Sequence, residues 1–110
     1  MATIDAGAFH RRNKTSEAFE ALTIDNTVGG IALTSGTYGT ARYAEISVDS
    51  ADIRFTVDGT PPTSTTGHLV GPRDIIRLDS HEDIVAFRAI RAGSTNATIQ
   101  VTYQEMKLTS

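Results

Sequence analysis

The chain has 110 residues, 39% hydrophobic, 21% charged and 6% aromatic, enough for one compact domain with a lean apolar core. Ten basic against thirteen acidic side chains give a formal charge of -3, which argues against a body that holds nucleic acid by counterion release, and the lack of cysteine excludes a disulfide framework, a thiolate metal site and a cysteine nucleophile. Apolar runs are short and the first residues lack the hydrophobic stretch of a secretory signal, so no membrane span is expected and the protein is expected to be soluble and made in the cytoplasm.

Residues 1–16 run Ala6-Gly7-Ala8-Phe9 and then His10, Arg11, Arg12, Asn13 and Lys14, with neither helical nor strand periodicity, and are expected to form an extended N-terminal arm. Arg11, Arg12 and Lys14 against Asp5 give this arm a charge of +2, leaving -5 on the body, residues 17–110. Opposite charge on arm and body favours attraction between molecules. From Glu17 onward the composition turns to Thr, Ile, Val and Gly, with Gly, Asn or Asp at most breaks, the pattern of short strands joined by turns. Weaker strands are expected at 18–25 and 30–34; Gly29-Gly30 and Gly36-Thr37-Tyr38-Gly39 read as turns, since neither fits a phosphate-binding loop.

Residues 43–49 alternate cleanly, Ala44, Ile46 and Val48 on one face and Tyr43, Glu45, Ser47 and Asp49 on the other. In 52–58 the inward set is Ile53, Phe55 and Val57 and the outward set Arg54, Thr56 and Asp58, so 43–58 is expected to be a hairpin. Residues 59–67, Gly-Thr-Pro-Pro-Thr-Ser-Thr-Thr-Gly, form a loop, because two prolines cannot donate to a ladder. Strands are predicted again at 68–70 and 74–79. Ser80-His81-Glu82-Asp83 resembles a capping box and predicts one helical turn over 81–83, followed by a strand to Arg91. After the turn Gly93-Ser94-Thr95-Asn96 comes the clearest strand, 97–103, where Ala97, Ile99, Val101 and Tyr103 alternate with Thr98, Gln100 and Thr102. Such alternation marks antiparallel sheets with one face buried, whereas parallel sheets give unbroken apolar runs. The expected fold is all-β, an antiparallel β-sandwich or jelly roll over 17–110, with a small closed barrel as the alternative.

Few residues point to catalysis. His10, His68 and His81 have no metal-binding spacing around them, and His81-Glu82-Asp83 reads as a capped corner. Asp49, Asp52 and Asp58 fail the calcium-loop pattern, and Asp58-Gly59 is turn chemistry. A carboxylate pair drawn from Glu45, Asp49 and Asp58 lacks the tryptophan that usually lines a sugar cleft, and no serine sits on a Gly-x-Ser-x-Gly elbow. Arg73, Arg77, Arg88 and Arg91 are expected to pair with carboxylates of the acidic body. The expectation is no enzyme, no metal and no cofactor.

Three segments carry a family resemblance: Asp52-Ile-Arg-Phe-Thr-Val-Asp-Gly-Thr-Pro-Pro-Thr63, Phe87-Arg-Ala-Ile-Arg91, and Gly93-Ser-Thr-Asn-Ala-Thr-Ile-Gln-Val-Thr-Tyr103. In this order, over roughly 43–103, they resemble small virion proteins of tailed bacteriophages. The resemblance implies a non-enzymatic subunit of the virion, a head decoration or cement protein bound to the major capsid protein, and a symmetric homo-oligomer, trimer or dimer. The mild net charge and the short apolar runs already give the expectation of no nucleic-acid and no membrane partner. A tail- or baseplate-associated carbohydrate-binding module, with Tyr38 and Tyr43 as its platform, and a head–tail adaptor are the alternatives. The charge asymmetry makes Phe9, Arg11, Arg12 and Lys14 the expected partner contacts, and the stiff loop offers a second set, Thr60, Pro61, Pro62 and Thr63.

Overall fold

The computed structural model describes residues 11–109, with side chains over 18–105. In chain order the elements are β1 (Arg11–Ile24), β2 (Ile31–Ala32), α1 (Ser35–Tyr38), β3 (Tyr43–Asp49), β4 (Ile53–Thr56), β5 (His68–Val70), β6 (Ile75–Leu78), α2 (His81–Ala86), β7 (Arg88–Arg91) and β8 (Ala97–Thr109). They form two four-stranded antiparallel sheets, β1-β8-β3-β6 and β2-β7-β4-β5, which is the expected all-β sandwich. The pairings β1–β8, β2–β7, β3–β6 and β4–β5 fold the chain back along itself about the loop between β4 and β5. The pairings β3–β8 and β4–β7 then join these pairs into sheets.

Period-two patterning fills the space between the sheets. Ala44, Ile46 and Val48 from β3, Ile76 and Leu78 from β6, and Ala97, Ile99, Val101 and Tyr103 from β8 meet Ile53, Phe87 and Ala89 from the opposite layer, all buried. Phe55 stacks on Phe87 with ring centroids 5.6 Å apart. The rows between them, Glu45 and Ser47 or Thr98, Gln100 and Thr102, face outward, as a sheet with one wet side requires.

Several boundaries differ from the sequence expectation. The strands at 43–49 and 53–56 exist, but they do not pair with each other: β3 lies in one sheet and β4 in the other. A sandwich corner and a hairpin share the same alternation, because in both the apolar sides turn toward one core. The corner is made by Ser50 at φ 73°, a left-handed conformation uncommon for a residue with a side chain, and by the Ala92 amide donating to the Asp52 carbonyl at 3.0 Å. The helix at 81 continues to Ala86, with Ser80 Oγ accepting from the Asp83 amide at 3.1 Å, and the following strand starts only at Arg88. The turn at 36–39 contains a single helical turn, α1.

The largest difference is at the ends. Strand β1 begins at Arg11, not at 18, and β8 runs on to Thr109, so residues 11–16 of the expected arm are strand. A register shift between Ser16 and Ala18 leaves Glu17 unpaired, a bulge of the kind that bends a strand. Replacing Ile99, fully buried at the centre of the core, by alanine is expected to destabilise the fold by about 2–5 kcal/mol, read from the midpoint of urea unfolding.

Candidate functional site

Chemistry-bearing side chains gather in three places. The first is the end of the sandwich closed by α1. There Glu20 reaches inward from β1, and its Oε2 accepts from the Thr34 amide at 3.1 Å and from the Tyr103 hydroxyl. Tyr38 of α1 lies against Tyr103 and, edge-on, against His81, with centroids 6.0 and 5.9 Å apart. His81 Nδ1 is 2.9 Å from the Ala41 carbonyl. Burial and the adjacent Glu20 push the Tyr103 phenol well above the usual tyrosine range. Every polar atom named here faces another protein atom, so this end works as a polar plug. Among the described residues no three histidine, aspartate or glutamate side chains group to hold a metal ion.

The second place is the loop between β4 and β5, which folds over the outer face of the second sheet. Arg54, on that face, donates from Nε to the Ser64 carbonyl and from Nη1 to the Gly67 carbonyl, both at 2.9 Å. Thr56 Oγ1 donates to the Thr60 carbonyl, which explains why a residue of the outward set is buried. Of the predicted contacts here, Thr60, Pro61 and Thr63 are exposed, whereas Pro62 is buried against Gly30 and is not available to a partner. Gly30 sits at φ 86°, and a Cβ there would meet Pro62 Cγ at 2.9 Å, so only glycine allows this approach. Asp58 takes the amide of Thr60 at 3.0 Å, and hydrogen bonds from Thr60 hold its carboxyl below the usual aspartate range. Beside the loop, Val28, Pro61 and Ile90 line a shallow groove with Arg91.

The third place is the ribbon made by the outer parts of β1 and β8. Here Arg11 pairs with Thr109, Arg12 with Leu108 and Lys14 with Met106 in backbone register. Strand β3 accompanies β8 only as far as the Tyr43–Gln104 pair, so the pairs from Thr15–Glu105 outward have no third strand. At about 3.4 Å per residue, this ribbon extends roughly 17 Å past the body, in keeping with the elongated extents of 51 × 24 × 21 Å. The predicted contacts Arg11, Arg12 and Lys14 therefore lie on one continuous strand, while Phe9 lies outside the described residues.

The arginines depart from expectation. Arg77 does meet a carboxylate, Glu45 Oε2 at 3.2 Å. Arg88 instead donates to the carbonyls of Val85 and Phe87, and Arg91 donates to Asn96 Oδ1 at 2.6 Å while its charge adds to the Thr27 hydrogen bonds that hold the Asp25 carboxyl below the usual aspartate range. Carbonyls left free at a helix end and in a turn are strong acceptors that composition does not reveal. Of the two tyrosines expected for a sugar platform, Tyr38 is half-buried against Tyr103 and Tyr43 lies on the outer face of the first sheet.

Replacing Arg54 by alanine is expected to release the loop, with faster amide exchange and proteolysis over 60–66 but little loss of global stability. Tyr103→Phe removes a donor to Glu20 and is expected to cost about 1–3 kcal/mol. Because the folded state raises the phenol's affinity for its proton, the wild-type protein keeps this stability below pH 10 and loses it as pH rises further; the variant is expected to lack that alkaline component in urea titrations.

Comparison with protein-family models, with curated proteins and with solved structures found no match for this chain.

Proposed function

We propose that the chain is a non-enzymatic structural subunit of a tailed-bacteriophage virion, a decoration protein that binds the major capsid protein on the outside of the head. The observation that supports this best is the projecting ribbon. A small sandwich can close its core without it, and an isolated pair of strands is marginal in water, so five residue pairs held outside the body suit a part that gains its stability from a neighbour.

The segments that carry the resemblance fall in the body. Residues 52–63 give β4 and the start of the pinned loop, 87–91 give β7, and 93–103 give a turn and the body part of β8. Strand order also fits the reading, since a chain folded back along itself and wrapped into two sheets is the arrangement of a jelly roll, common in capsid proteins.

The mechanism is reinforcement by binding energy. A subunit that buries surface on two capsid neighbours at once stabilises the assembled shell by mass action and raises the barrier to its opening, with no bond made or broken. The exposed Thr60, Pro61 and Thr63, on a loop already fixed by Arg54, supply a second contact that loses little freedom on docking.

Particles of the virus that encodes this chain are expected to carry it on their heads, and particles made without it are expected to assemble but to release their DNA at lower temperature. Adding the purified protein back is expected to restore the wild-type release temperature. Absence of the chain from purified heads, or identical heat release with and without it, overturns the assignment.

A further inference from the structure

We propose that β1 is a dimerisation strand, which pairs antiparallel with β1 of a second copy of this chain and joins two first sheets into one of eight strands. Three observations carry this. Among the described residues, β1 has a neighbour on one side only, so its other edge presents unpaired backbone groups along 14 residues. The remaining sheet edges, β2, β5 and β6, are two, three and four residues long, as edges usually are when they are kept from pairing. Phe19, on the outer face of β1, is 58% exposed, an unusual place for a phenylalanine unless something covers it.

Charge selects the partner and the register. The first part of β1 carries Arg11, Arg12 and Lys14, and the second opens with Glu17, Glu20 being turned inward to Thr34 and Tyr103, so the strand complements itself only when it runs antiparallel to its copy. In the register that sets Lys14 opposite Glu17 of the second copy, Arg12 falls opposite the copy's Phe19. A parallel arrangement in register stacks like charges and is disfavoured. Residues 11–20 of each chain then pair with 20–11 of the other, and the ribbon of each subunit lies along the body part of its partner's β1. The ribbon thereby acquires the third strand it lacks within one chain.

The inference uses the same ribbon as the virion assignment, with a second copy as the first neighbour it meets, but it is read on the purified chain alone, so either can fail without the other. Its test is sedimentation of the purified full chain across a concentration series, with amide exchange followed at the lowest and highest concentrations. A dimer is expected, with amides of residues 11–20 more protected at high concentration. Lys14→Glu places like charges together at two symmetry-related sites and is expected to raise the dissociation constant about tenfold, as is Glu17→Lys. Combining the two in one chain restores opposite charges and is expected to return the dissociation constant to near the wild-type value. A monomer at every concentration, a trimer, protection that does not depend on concentration, or a double variant as weak as the single ones overturns the proposal. Because the exchange measurement uses the unaltered protein, it decides even if a variant folds poorly.

Discussion

Strand β8 holds the molecule together. Its backbone bonds serve a neighbour on both sides of the first sheet, β1 along its whole length and β3 from Thr98 to Gln104. Its inward row, Ala97, Ile99, Val101 and Tyr103, is completely removed from solvent. Removing β8 would separate β1 from the rest of its sheet and uncover Ile46 and Phe87 at the same time. The other sheet is simpler, with strands of two to four residues, and it depends on the first for most of the apolar surface it covers.

How much of this was legible in the sequence follows from where the core is. Strands β3 and β5 matched their expected bounds, and the body part of β8 matched as well, because one face of β3 and β8 must be apolar to fill the sandwich and the period of two is then forced. The ribbon was invisible for the same reason. Arg-Arg-Asn-Lys-Thr-Ser has no apolar row, since the strand it forms has no second layer behind it. The partnership of β3 and β4 was misjudged because alternation records which side faces the core and not which sheet a strand joins. Pro62, an expected loop contact, is buried because the glycine at position 30 leaves room for its ring, which nothing in the loop's own sequence signals.

The two ends of the sandwich are sealed by different means. Around α1, polar groups are drawn together and satisfied: Glu20 takes two donors and His81 meets a carbonyl. The corner at the far end relies on backbone instead, with Ser50 and Arg73 both at positive φ and the Arg73 amide donating to the Val48 carbonyl at 2.9 Å. The first device loses two hydrogen bonds at once if Glu20 is removed, because the Thr34 amide and the Tyr103 hydroxyl share its carboxylate. The second stores modest conformational cost in residues that remain in contact with water.

Pairing between the first strand and the last also governs when this protein can fold. During synthesis β2, β7, β4 and β5 are all available before β8 emerges, so the second sheet is the earlier one to become possible, while the first waits for its central strand. Until then Ile46, Val48 and Ile76 can face the second sheet but lack the row of Ile99 and Val101 beside them. Chains of this topology, rich in contacts between residues far apart in sequence, fold slowly compared with helical domains of the same size. From the emergence of β3 until that of β8 the nascent protein therefore carries a β3 edge without its partner strand, an interval in which a ribosome-associated chaperone has the most to protect.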